Sequence, residues 1–299
     1  GLYTAIVGGF FVSLLGGSRY QIGGPAGAFI VLVLATVQTH GPDGLILATF
    51  ISGLILAAIG LLRLGTYIKY IPFPVTVGFT AGIAVIIFAS QIKELLGLTL
   101  GSEPGPLLDK LPALAQALPT VNPDAVLIAA LTIATTVVLR RYRPHWPGML
   151  IAVAVSAAAV AIFALPVETI GTRFGGIPSA LPAPQLPEFT IDKVGAVLPA
   201  AFSFALLGGI ESLLSAVVAD SMSGGRHRSN CELVAQGAAN VASSLFGGFC
   251  VTGTIARTAT NVRSGARGPV SGMLHSAFLL LFVVVAGPRG SLIPLPALA

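Results

Sequence analysis

The chain is 299 residues long, 55% hydrophobic and only 9% charged, with a mean hydropathy of +0.92. A soluble domain carries roughly a quarter charged residues, so this composition excludes a water-wetted globular protein and predicts a multi-span membrane protein. The net charge of +5 does not imply nucleic acid, because basic loops on one face of a bilayer account for it.

In chain order, the first apolar segment runs from Leu2 to Leu15 and ends at Gly16-Gly17. A re-entrant extended stretch, 16–24, then leads into a half-helix from Pro25 to Thr39. Spans follow at 45–62 and 74–96, then a polar, Pro-rich linker at 97–123. Further spans occupy 124–139 and 147–165, and a second Pro/Gly-rich linker covers 166–193. The last elements are spans at 194–220 and 231–247, a second half-helix at 255–264 and a span at 269–286. Only helices or closed barrels satisfy the backbone in lipid. The unbroken apolar runs at 125–139 and 149–165 favour helices over alternating barrel strands. Cys231 and Cys250 read as small packing residues, and no disulfide framework is implied.

The two broken segments carry the same pattern. Ser13-Leu14-Leu15-Gly16-Gly17 lies over Ser244-Leu245-Phe246-Gly247-Gly248, and each is followed by a short extended stretch and a new helix among small residues. Paired Gly- or Pro-interrupted segments in two halves of a membrane protein point to a transporter's binding site. Threading the spans places Arg19, Arg63, Lys69, Arg140, Arg141, Arg143, Arg226, Arg228, Arg263 and Arg267 on one face, the expected cytoplasmic one, with the two long linkers outside. Lys93, Lys110, Arg173, Lys193 and Arg289 fall on the other face, and Arg257 within the membrane. This threading requires both broken segments to reverse at mid-depth.

An ionisable group at membrane depth is a functional candidate, and two stand out: Glu211, midway down its span, and Arg257, at the start of the second half-helix. A structural ion pair between helices is the alternative for both. Helix N-termini expose unsatisfied N–H groups and the positive end of the helix dipole, so two half-helices meeting head to head would cradle an anion. Gly23, Gly24, Gly27, Ala28 and Gly253 let the backbone approach a ligand, or let helices pack closely. Thr252, Thr254 and Thr258 offer hydroxyls, and Arg257 a fixed positive charge. Glu211 in such a cradle must hold a proton, pair with Arg257 or bind a cation, which makes it a candidate coupling group. The segment Arg140-Arg141-Tyr142-Arg143 reads as a lipid-surface anchor. So does Gly225-Arg226-His227-Arg228, with Arg226 or Asp220 available to a gate. The four histidines lack metal-ligand spacing. No Ser/His/Asp constellation is recognisable, so no enzymatic activity and no cofactor are expected.

The strings Gly16-Gly17-Ser18-Arg19, Gly23-Gly24-Pro25-Ala26-Gly27-Ala28, Glu211-Ser212-Leu213-Leu214-Ser215, Arg226-His227-Arg228-Ser229-Asn230, Glu232-Leu233 and Gly253-Thr254-Ile255-Ala256-Arg257-Thr258-Ala259 resemble the SulP (sulfate permease, solute carrier 26) anion transporters, in order and along the whole chain. The resemblance implies an all-α membrane protein with fourteen segments in two inverted halves of seven. It implies a core at about 1–73 and 194–268 and a gate at about 74–193 and 269–299. The chain then holds about segments two to twelve, a fragment without the family's STAS domain. The resemblance further implies secondary transport of sulfate, bicarbonate or a dicarboxylate by an elevator-like movement across a plasma membrane, the bacterial inner membrane, as a homodimer. A channel or exchanger of the family, or a nucleobase carrier of the same fold, is the alternative. The implied substrate site is Gly24, Pro25, Ala26, Gly27, Thr254, Ile255, Ala256, Arg257 and Thr258, with Glu211 and Ser215 for coupling. Sodium-coupled bicarbonate carriers of this family have Asp and Thr at those last two positions. The departure shifts the expectation from sodium coupling to proton coupling or exchange.

Overall fold

The computed structural model describes residues 1–70, 73–101, 104, 106–178 and 180–299; the side chains of Lys69 and Arg289, counted in the charge topology, lie outside the described residues. By its internal contacts the chain divides into two units, Gly1–Thr80 with Leu181–Leu281 and Ala81–Ala180 with Phe282–Ala299.

The first unit holds the broken segments. A π-helical turn, Thr4–Gly8, runs into α1 (Gly9–Leu15), and an extended stretch contains β1 (Gly23–Gly24). A 3-10 turn at Gly27–Phe29 opens α2 (Ile30–Leu61). The expected half-helix therefore starts two residues late, because Pro25 and Ala26 remain extended (Ala26 φ −111°, ψ 145°). It also joins the following span instead of stopping at Thr39. Gly41 takes φ 71° and ψ 179° before Pro42, so the chain kinks there and continues. After a 3-10 segment, Leu64–Tyr70, the chain enters α3 (Phe73–Leu96), which crosses between the units. The first unit resumes with α8 (Ile191–Ser223), started by the Thr190 side chain accepting Lys193 N–H and ended by Gly224 at φ 72°. α9 (Ser229–Leu245), β2 (Thr252–Gly253), α10 (Ile255–Arg263) and the start of α11 (Val270–Gly290) complete it.

In the second unit, the linker at 97–123 contains α4 (Leu107–Ala117), which the Pro-rich composition concealed; Pro112 sits inside it. Leu114 and Ala117 pack with Leu98, which supplies the stability that propensity lacks. α5 (Pro123–Tyr142) begins with Asn122 accepting Asp124 N–H at 2.9 Å and pairs with α6 (Gly148–Phe163). Their seam holds Ala125, Ile128 and Val160 and a Thr132–Ser156 hydroxyl contact of 2.7 Å. The second linker contains the short α7 (Ile170–Phe174), whose Arg173 pairs with Glu94 and Glu168.

Three described helices are long and apolar enough to cross a membrane, Gly27–Leu61, Pro123–Tyr142 and Ile191–Ser223, and shorter apolar helices cover Thr4–Leu15, Gly148–Phe163 and Val270–Val285. Only 17% of the α5 window is buried within the chain, so its apolar surface faces outward, as lipid contact requires. α9 has the opposite character. Its buried side chains include Glu232, Gln236, Asn240, Ser243 and Ser244. It is a polar helix wrapped in protein, not a lipid-facing span.

α9 crosses α2 at backbone contact. A Cβ on Gly237 would lie 2.6 Å from Gly53 O, and one on Gly53 would lie 2.7 Å from Gly237 O. Small residues permit this approach and the packing it yields. On the other side of α2, Phe29, Leu45, Leu47 and Ala48 pack against Val197, Ala201 and Phe204 of α8. Asn240 of α9 holds the strand of the second broken segment: its amide donates to Val251 O at 2.9 Å, and its Oδ1 accepts Val251 N–H at 3.0 Å.

Replacing Gly237 by Leu is expected to destabilise the protein by about 1–3 kcal/mol through overpacking, read as a lower unfolding temperature in detergent. Asn240→Ala orphans two buried backbone groups at about 1–3 kcal/mol each; the same melting assay should show a drop, while substitution of exposed Leu127 should leave it unchanged.

Candidate functional site

The two broken segments meet in the first unit. β1 and β2 pair antiparallel, Gly23 opposite Gly253 and Gly24 opposite Thr252. Thr254 N–H also donates to Ile22 O at 3.0 Å, so the contact between the two segments continues one residue past the strands.

The pairing brings two helix starts side by side. In the second, Thr254 caps α10, and Ile255, Ala256 and Arg257 form its first turn, so their N–H groups have no partner within the helix. In the first, Gly24 and Pro25–Ala26 are extended and Gly27 begins the turn. A Cβ on Gly24 would collide with Nη1 of Arg257, so the guanidinium lies directly on the Gly24 backbone, and a larger residue there would displace it. Among the described residues no carboxylate pairs with Arg257. Its charge, two sets of free N–H groups and the dipole ends of two helices therefore converge without an internal anion to neutralise them.

The hydroxyls divide differently from the sequence expectation. Thr252 donates to Gly208 O at 3.0 Å and Thr254 to Ile22 O at 3.1 Å, so both are committed to backbone. Thr258 is buried and its Oγ1 accepts Ile22 N–H at 3.2 Å and the Ser215 hydroxyl at 3.0 Å. Of the three, it alone retains a hydroxyl proton to give. Ser215 thereby ties α8 to α10. Glu211, one helical turn before Ser215 on α8, is 8% exposed, and its Oε2 has no hydrogen-bond partner. It forms no ion pair with Arg257, which removes the helix-locking pair as its role.

On the outer side of α10, Arg257, Thr260, Asn261, Ser264, Ser271 and His275 line a cleft of about 350 Å³ that has no carboxylate on its wall. His275 Nε2 is buried there without a partner.

Sequence reasoning missed the supports of this site. Glu232, fully buried, accepts Gly17 N–H at 2.8 Å and Ser18 N–H at 3.1 Å on Oε2, and Ser212 Oγ at 3.1 Å and Gln236 Nε2 at 2.9 Å on Oε1. Gln21 donates to Ser212 Oγ at 2.8 Å and to Ser212 O at 3.1 Å. In the other half, Thr4 Oγ1 accepts Phe249 N–H at 3.0 Å. Each turn after a Gly-Gly pair is thus held by a side chain from the helix of the opposite half. The one available signal was an acid in the first turn of a helix, which ordinarily reads as a dipole contact.

The expectation of no Ser/His/Asp constellation is corrected. Asp220 Oδ2 contacts His227 Nδ1 at 2.6 Å, and His227 Nε2 lies 3.0 Å from Ser229 Oγ. A separation of seven positions, from the end of α8 into the following loop, hid the pair in the sequence. Asp220 Oδ2 also accepts His227 N–H at 3.0 Å, so the arrangement closes the turn between α8 and α9. Arg228 N–H in that turn donates to Gly17 O at 3.1 Å, connecting it to the first broken segment.

Comparison with known proteins agrees with this architecture. A protein carrying the name "Putative sulfate transporter YvdB" from Bacillus subtilis (strain 168) is 46% identical over the whole chain, which covers 57% of that relative. The bicarbonate transporter BicA of Synechocystis sp. (strain ATCC 27184 / PCC 6803 / Kazusa) is 35% identical, again over the whole chain and 54% of the relative. The chain thus spans a little over half the length of these relatives. The solved transmembrane domain of a cyanobacterial BicA superposes with a TM-score of 0.87 at 33% identity, covering 99% of this chain and 77% of that one. The family model described as "Sulfate permease family" matches residues 1–299, and the chain belongs to that family, whose multi-pass membrane fold it shares.

Proposed function

We propose that the protein is a secondary anion carrier whose substrate is held between the two helix starts, with Gly24, Pro25, Ala26 and Gly27 on one side and Thr254, Ile255, Ala256, Arg257 and Thr258 on the other. The observation that carries the reading is Arg257 seated on the Gly24 backbone, unpaired, beside free N–H groups of both helix starts. Such a place is electrostatically incomplete until an anion enters it. Membership of the sulfate permease family and the names of the relatives direct the choice of cargo to sulfate or bicarbonate, with dicarboxylates as larger candidates.

In this reading the first unit is the mobile core and the second the gate, so that transport proceeds by an elevator-like displacement in a homodimer in the bacterial inner membrane. The core so defined takes in 74–80, 181–193 and 269–281, beyond the limits that the resemblance implied. Glu211 is the coupling group, with Ser215 beside it. A buried carboxylate with an unpartnered oxygen and, among the described residues, no ion pair suits a site that takes a proton together with the anion, the net charge of the site then changing less on loading.

The full-length protein in proteoliposomes, screened with sulfate, bicarbonate and fumarate with and without a pH gradient, tests the reading. Saturable uptake above the external concentration is expected; uptake that only equilibrates would indicate a channel instead. Arg257→Gln should raise the half-saturating anion concentration about 10- to 100-fold, the loss of a charge-assisted hydrogen bond. Glu211→Gln should leave uptake indifferent to the pH gradient; gradient dependence equal to that of the wild type would remove Glu211 from coupling.

A further inference from the structure

Two closed circuits of hydrogen bonds meet beneath the helix starts. In the first, Glu232 of α9 accepts the Gly17 and Ser18 amides, the chain runs on to Gln21, Gln21 donates to Ser212, and the Ser212 hydroxyl donates back to Glu232. The hydroxyl has one proton, so receiving Gln21 Nε2 and giving to Glu232 fixes its direction. In the second circuit, Ile22 N–H donates to Thr258, the Ser215 hydroxyl donates to Thr258, and α8 leads from Ser215 back to Ser212. The second circuit closes through the Gln21–Ser212 hydrogen bond, which the two circuits share.

We propose that Glu232 is a positioning residue for anion binding. It touches neither proposed ligand-contacting stretch. It sets the height of the extended strand that carries Gly24 and the rotation of α8 that carries Glu211 and Ser215. Four donors converge on its two oxygens, and none of them is a cationic group. Each bond to a carboxylate is of the stronger, charge-assisted kind, and a closed network couples its members more tightly than separate pairs would. A glutamine in its place would offer a single acceptor oxygen and turn an NH2 group toward donors, and an aspartate would be one methylene shorter. Gly17 is part of the same fit: a Cβ there would lie 2.9 Å from Glu232 N and collide with Arg228 O, so the turn approaches α9 only as glycine.

The inference rests on the anion-carrier reading, and its test separates the two. Full-length wild type, Glu232→Gln and Ser212→Ala are compared in proteoliposomes, with uptake normalised to folded protein. Glu232→Gln should raise the half-saturating sulfate or bicarbonate concentration about tenfold or more, and Ser212→Ala, a smaller change that spares the fold, about threefold or more. A purely structural role would lower the yield and melting temperature but leave half-saturation of the folded fraction at the wild-type value, and that result overturns the proposal. Hydrogen exchange supplies a readout independent of transport. Ser212→Ala should speed amide exchange at Gln21–Gly24 and at Thr258, with α5 and α6 unchanged; exchange equal to wild type at those amides overturns the positioning role even if no screened anion is carried. Wild type that carries none of the anions while Ser212→Ala shows the local acceleration sinks the cargo assignment and leaves Glu232 as the organiser of the strand crossing.

Discussion

The structure depends on one constraint: inside a bilayer no backbone N–H or C=O can be left to water. A helix meets that requirement within itself, but a helix that stops halfway does not. Here two interrupted helices solve the problem jointly. Their extended tails pair at Gly23–Gly24 and Thr252–Gly253, and side chains take the groups that the short ladder cannot reach, Glu232 for Gly17 and Ser18, Asn240 for Val251, Thr4 for Phe249. The first turns of the two new helices, where Arg257 also sits, keep N–H groups that have no partner within their own helix.

This explains the odd composition of α9. A helix buried among other helices in a membrane protein has no need of apolar side chains all round, because its neighbours and not lipid surround it. Glycine at Gly53 and Gly237 brings α2 and α9 together at main-chain distance, and the polar residues of α9 point to the strands. Stability in that region comes from close packing and satisfied polar groups acting together, so each depends on the fit of the other.

Much of this was legible in the sequence because the informative residues were punctuation. Gly16-Gly17 and Gly247-Gly248 marked both breaks, while the pairing of the two extended stretches was not legible. Glu211 and Arg257 stood out because charge is scarce in apolar runs. Other features were hidden for physical reasons. Glu232 occupies a first-turn position where acids are common, and only its distant partners at Gly17, Ser18 and Ser212 give it meaning. Asp220, His227 and Ser229 meet through a loop that no periodicity describes. α4 contains a proline and owes its helix to contact with Leu98, which no local rule anticipates. The Thr252 and Thr254 hydroxyls looked like ligand donors until their backbone acceptors were in place.

The crossing of α2 with α9 has a consequence for biogenesis. Its two halves are separated by everything between Leu61 and Ser229, and Ala81–Ala180 of the second unit is translated in that interval. When α2 enters the membrane, the surface bearing Gly53 and Gly60 has no neighbour, and the strand at Gly23–Gly24 has nothing to pair with. The early segments must wait in lipid, partly unsatisfied, until the ribosome delivers their counterparts. Contacts of such long sequence separation form late, and a nascent chain in that interim is the form most exposed to insertion chaperones and to quality-control proteases.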